Sequence, residues 1–181
     1  MSGLWDLPGV LPNLPPSEGE PRAAVLVPLY ERNGELHTIL TKRPMHMPTH
    51  AGDLAFPGGK PDPRDDGPVS TALREASEEV GIEPESVEVI GFLRPIHTVA
   101  YERMVVPVVG RLPRRPALQI DATEVEAVLE APLGPFFSDD NWRFETWQGH
   151  RIFFFDLDDE VLWGATAAMV RRLVGLDDDH P

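Results

Sequence analysis

The sequence predicts an α+β fold, an α/β/α sandwich in which a mixed sheet lies between helices, and three observations predict it. Twenty prolines among 181 residues cut the chain into short pieces and disfavour a helix bundle. Several of those pieces are short Val-, Leu- and Phe-rich runs of strand character. Two segments carry apolar residues at helical spacing, one between strands and one near the end. The composition, 41% hydrophobic and 25% charged, is that of an ordinary globular chain, and the length suits one domain.

The first twenty-one residues, with Pro8, Pro12, Pro15 and Pro16, read as a poorly structured arm or as a cover for a neighbouring subunit, so a homodimer is one expectation. A single domain is expected over residues 22–176, and residues 177–181 form an acidic tail. Residues 23–30 and 36–41 read as a hairpin turning at Gly34. Residues 42–68 hold six prolines and four glycines, a long loop of the sort that is usually functional in a compact domain. The loop leads into a helix that begins at Pro68, which suits a first turn, and stops at Gly81, which suits a C-terminal cap. Val69, Ala72, Leu73, Ala76 and Val80 mark its buried face. Strands are expected over 87–93, 104–110, 125–129, 142–146 and 151–157, with Gln148-Gly149 turning the last two into a hairpin. A second amphipathic helix spans 165–174.

The net charge of −14 argues against a nucleic-acid-binding surface, which needs clustered Lys and Arg. It allows a small anionic substrate neutralised locally by a few basic side chains and a divalent cation. No apolar run is long enough to cross a membrane, and the N-terminus lacks a basic region followed by an apolar run, so a cytoplasmic protein without membrane partners is expected. With no cysteine, any metal must be held by oxygen or by histidine. His46, His50 and His97 match no zinc spacing and read as solvated or hydrogen-bonded loop residues. Trp142, Trp147 and Trp163 have the surface to stack a base, although packing is the commoner fate of tryptophan.

The chemistry concentrates on the first helix. At about 100° per residue, Glu75, Glu78 and Glu79 fall within about a quarter turn and form one carboxylate patch, placed roughly opposite the centre of the apolar face. Like charges at this spacing cost about 0.2–0.5 kcal/mol per pair, and the helix dipole disfavours them near a C-terminal end. Magnesium or manganese would compensate, since both take carboxylate oxygens and are often shared with substrate phosphates. The preceding Phe56-Pro57-Gly58-Gly59-Lys60 puts two glycines where backbone can approach a ligand closely and sets a cation beside them.

The run Arg74-Glu75-Ala76-Ser77-Glu78-Glu79-Val80-Gly81-Ile82 resembles the second half of the Nudix box at every fixed position, and Asp65 stands where the box has its first glutamate. Upstream, Ile39-Leu40-Thr41-Lys42-Arg43, then Gly52 and Phe56-Pro57-Gly58-Gly59, resembles the motif of the coenzyme A diphosphatase branch, with Pro44 and Pro48 replacing its serine and second arginine. Trp163-Gly164-Ala165-Thr166-Ala167 also looks like that branch. The resemblance implies the Nudix sandwich, with Glu75, Glu78 and Glu79 ligating Mg2+ or Mn2+, the Gly59 carbonyl as a further ligand, and Arg74 orienting the carboxylates. Glu75 is the first candidate for general base, with Glu124 or Glu102 as later-loop alternatives. Arg43, Gly58, Gly59 and Lys60 would face the substrate phosphates. The implied substrate is coenzyme A or an acyl derivative; ADP-ribose, another nucleoside diphosphate, or a non-catalytic nucleotide-binding role are the alternatives.

Overall fold

The computed structural model describes residues 3–15, 23–98 and 103–177. Strand β1 (Ala23–Arg32) is buried on both sides because its alternate residues enter different cores. Ala24, Leu26 and Tyr30 face one, and Val27 and Leu29 the other. It turns through Asn33-Gly34, both at positive φ, into β2 (Glu35–Lys42), an antiparallel hairpin. The long loop contributes two short strands, β3 (Leu54–Ala55) on the edge of β2 and β4 (Gly58–Gly59) against β1.

Helix α1 (Pro68–Val80) follows, then β5 (Glu88–Phe92), β6 (Ile96–Thr98) and β7 (Arg103–Arg111). The β7 strand runs parallel to β1, in register from Ala23 with Val105 to Leu29 with Arg111, and this one parallel pair makes the sheet mixed. The main path is β3-β2-β1-β7-β5, with β8 (Ala127–Pro132) added beside β2. A separate sheet of β9 (Arg143–Trp147), β10 (His150–Leu157) and β11 (Glu160–Trp163) precedes α2 (Gly164–Leu173). The two helices cover opposite faces of the large sheet. Ala72, Ala76 and Val80 of α1 join the core of Leu26 and Tyr30, while Ala167, Val170 and Leu173 of α2 join that of Val27 and Leu29.

The sandwich expected from sequence is the fold observed, with differences in detail. The strand expected over 125–129 begins at Ala127 instead, because Asp121 closes a turn before it: its side chain accepts from the Thr123 amide at 2.9 Å and its carbonyl from Val125 at 2.9 Å. The last strands form their own sheet instead of extending the first. The described part of the arm is held in place, contrary to its reading as poorly structured. Leu7 is buried, Leu11 exchanges two 2.8 Å backbone bonds with Phe92, and Gly9 presses so closely on the Arg172 carbonyl that a Cβ there would lie 1.6 Å from its oxygen. Buried Arg171 ties α2 to the small sheet, bonding Asp139 at 2.7 Å and stacking 3.7 Å over the Phe153 ring. Among the described residues no helix is long and apolar enough to cross a membrane.

Candidate active site

Helix α1 is aimed by its ends and by its neighbour β4. Pro68 starts it, and Gly81, at φ 73, ends it in the left-handed cap with its amide on Ser77 at 3.0 Å. The buried Thr71, Ala72, Ala76 and Val80 press one face on the sheet, and this sets Glu75 and Glu79 at the margin of the buried face beside Gly58 and Gly59. The carboxylates therefore do not lie opposite the apolar face, as the helical wheel suggested. Both glycines are required by contact: a Cβ on Gly58 would sit 2.4 Å from the Ala24 oxygen, and one on Gly59 would sit 2.5 Å from the Glu75 carboxyl carbon.

Carboxylate oxygens of Glu75, Glu79 and Glu124 lie within 4.8 Å of one another. Glu124 arrives from the loop after β7, which is laid on the end of α1 by backbone bonds from Gln119 to Val80 and from Asp121 to Glu79, both 2.9 Å. Burial first, and then the neighbouring Glu75 charge, push the Glu79 carboxyl up to about 8, although the Gly58 amide donates to it. Burial also raises Glu75, against the opposing pull of Arg74. Three carboxylates this close repel unless a cation joins them, and the donor set is all oxygen, so the residues fit a hard divalent ion such as Mg2+ or Mn2+.

Glu78 does not enter this group. Its side chain is 57% exposed and accepts from Arg74 Nη1 at 3.2 Å. Arg74 is a hub: it also donates to Glu75 at 2.9 Å, to the Lys60 carbonyl at 2.9 Å and, through two nitrogens, to Asp65 at 3.0 Å. Asp65 in turn accepts from the Asp62 amide at 2.8 Å and the Thr71 hydroxyl at 2.9 Å. The position where the box has its first glutamate thus anchors the arginine that orients Glu75. Lys60 contributes its carbonyl here, and its side chain is exposed. Glu102 lies outside the described residues.

Arg43 connects the carboxylates to a cavity. Its charge acts on Glu79, and its buried Nε has no hydrogen-bond partner among the described residues. The cavity, about 280 Å³, is bounded by Arg43, His50, Asp53 and Phe56 on one side and by Trp163 and Thr166 on the other. Asp53 is the residue that sequence reasoning missed. It accepts from the Trp163 indole at 3.1 Å and pairs with His50 at 2.8 Å, joining segments 110 residues apart. A larger cleft of about 890 Å³ runs along the outer face of α1 by Val69, Leu73 and Ser77, and neither Glu75 nor Glu79 lines it.

Residues 20–159 match the NUDIX domain family, well over half of the chain. The chain belongs to the Nudix hydrolase family. Over 162 residues it is 43% identical to Nudix hydrolase 22, chloroplastic, of Arabidopsis thaliana, an alignment covering 83% of this chain and 53% of that relative. Over 158 residues it is 39% identical to NudL of Escherichia coli (strain K12), described as an uncharacterized Nudix hydrolase, covering 84% and 80% of the two chains. The chain therefore spans about half the length of the plant relative. A Nudix hydrolase from Alicyclobacillus acidocaldarius superposes with a TM-score of 0.55 at 18% identity, over 87% of this chain and 92% of that one, which shows the shared fold.

The raised Glu79 makes a test of the metal assignment. Between its ordinary value of 4.5 and about 8, the folded protein holds a proton that the unfolded chain releases, so without metal this group's contribution falls as pH rises through that window. A cation needs the carboxylates deprotonated, so its stabilisation grows over the same window. Magnesium should raise the melting temperature more at about pH 8.5 than at about pH 6, measured against chelated samples at each pH. Equal increments at both pH values would overturn the assignment.

Proposed function

We propose that the chain is a magnesium-dependent diphosphatase of the cytoplasm that cleaves coenzyme A or an acyl derivative to adenosine 3′,5′-bisphosphate and phosphopantetheine. The observation that carries the reading is one of convergence. The loop from Arg43 to Phe56 and the stretch from Trp163 to Thr166, two of the parts of the sequence that resemble the coenzyme A branch outside the box, line one cavity. Arg43 lines that cavity and its charge also acts on Glu79, so it links the two.

In this reading Glu75 and Glu79 hold the cation, with the Gly59 carbonyl beside them. When bound, the cation supplies charge neutralisation at the diphosphate oxygens and activation of water. Arg43, which lines the cavity, binds the diphosphate by charge-assisted hydrogen bonds. Gly58 and Gly59 let backbone approach the phosphates. Arg74, fixed by Asp65, holds the Glu75 carboxylate in place. Glu124 is the exposed member of the cluster, open to an incoming water, and takes its proton. Glu75, the first base candidate from sequence, is instead engaged by Arg74 and packed on Gly59.

Pro44 and Pro48 set the balance of specificity. Loss of one arginine–phosphate contact removes about 1.5–3 kcal/mol, or about one to two orders of magnitude in affinity. The purified protein with magnesium should hydrolyse coenzyme A faster than ADP-ribose, products being read by chromatography. Pro48→Arg should widen that preference. Wild-type hydrolysis of ADP-ribose or another nucleotide with an efficiency higher by about tenfold or more, an opposite preference of about 1.4 kcal/mol or more, would overturn the coenzyme A reading and leave the diphosphatase reading standing.

A further inference from the structure

Trp163 is exposed where a packing tryptophan would be covered. The residue is 40% exposed at the end of β11, yet it lines the cavity beside buried Phe56 and Met169. Trp142, by contrast, is buried with its indole on the Phe136 carbonyl at 3.0 Å, and Trp147 stands by the β9–β10 turn away from the cavity.

The Trp163 ring is also fixed before any ligand arrives. Its Nε1 donates to Asp53, and the other Asp53 oxygen pairs with His50. Phe154, its partner across β10 and β11, lies nearly parallel to it at 10°, with ring centroids 6.3 Å apart. The N–H is thus used, and what the residue offers the cavity is an immobilised π-face. A fixed face binds without the cost of ordering a free side chain. A phosphate gains nothing from it, since the nearest charge on the ring is the Asp53 carboxylate. A flat ring gains stacking and finds polar edges on His50 and Asp53. The volume, about 280 Å³, lies just under the range of whole-ligand pockets and suits one ring system of a larger substrate.

We infer that Trp163, braced by Asp53 and Phe154, is the platform on which the nucleobase of a nucleoside diphosphate substrate stacks, while Arg43 takes the diphosphate at the mouth of the cavity. The inference rests on the diphosphatase reading for the identity of the substrate, and its test uses binding, which turnover does not affect. The probes are α,β-methylene-ADP, which has base and diphosphate, and methylenediphosphonate, which has the diphosphate alone, each titrated by calorimetry with magnesium present.

Trp163→Leu should weaken α,β-methylene-ADP by about tenfold or more, the size of one lost base–aromatic stack, and leave methylenediphosphonate unchanged. Trp163→Phe should retain most of the affinity. Tryptophan emission of the wild type should be quenched by the nucleotide and not by the diphosphonate, and Trp163→Phe should abolish the quench; this second measurement decides the matter if the leucine variant does not fold. Equal weakening of both probes would show a purely structural role and overturn the inference. So would unchanged nucleotide affinity in Trp163→Leu. Failure of the wild type to cleave any nucleoside diphosphate would instead sink the diphosphatase reading, with the stacking measurements still interpretable.

Discussion

Glu79→Gln should lower turnover by about a hundredfold or more, while Glu78→Gln, one residue away, should lower it by no more than about tenfold. From sequence the two glutamates are equivalent, adjacent in the same motif. The structure separates them. Glu79 sits in the cluster with Glu75 and Glu124, receives the Gly58 amide, and is raised to about 8 by burial and by Glu75, so it is the carboxylate most dependent on a cation. Glu78 is 57% exposed and reaches only Arg74, an i, i+4 pair of modest worth.

The amide variant also divides function from stability. At neutral pH without metal the Glu79 carboxyl is already largely protonated, so glutamine replaces it almost isosterically, and the metal-free melting temperature should hold or rise. Magnesium should then stabilise the Glu79→Gln variant little and the Glu78→Gln variant nearly as much as wild type. Equal losses of activity in the two variants, or near wild-type turnover in a folded Glu79→Gln protein, would refute the division.

The parts of the fold legible in the sequence are those fixed by local chemistry. Gly81 announced the end of α1 because only a left-handed residue continues there, and Gln148-Gly149 announced its hairpin for the same reason, with φ 50 and 81. The two-residue strands β3 and β4 were illegible because no periodicity fits two residues, and pairing with β2 and β1 alone defines them. Within the site, the motif brought Arg74, Glu75 and Glu79 into view, but which two of three glutamates converge depends on the rotation of α1 against β4. Asp53 carried no signal at all. Its role arises from Trp163 and His50 meeting across the cavity, a contact between segments 110 residues apart.

Arg74→Gln should reduce turnover by about a hundredfold and lower the melting temperature by several degrees, since an ångström of misplacement at a reacting centre has that effect on rate. Arg74 holds four acceptors on two segments: Asp65 and the Lys60 carbonyl in the loop, and on its own helix Glu75 beside the cluster and Glu78 a turn along. Asp65, whose side chain is 6% exposed, loses its cation in the variant and keeps only the Asp62 amide and the Thr71 hydroxyl. Glu75 loses the guanidinium that opposes its raised pKa, so it should hold a proton to higher pH and bind magnesium less well. Arg74→Lys should recover only part of either property, because an ammonium cannot span these acceptors with a planar fork. The pH dependence makes the test specific. Arg74 holds the Asp65 carboxyl well below its ordinary 3.8, so the unfolded chain takes up that proton first as pH falls, and the wild type loses this contribution progressively below that value. Acid unfolding of Arg74→Gln should therefore be shallower below about pH 4 than that of the wild type, even though the variant starts from a lower stability. Parallel acid-unfolding curves, together with near wild-type turnover, would reduce Arg74 to a surface ion pair and leave Glu75 to be positioned by Gly59 alone.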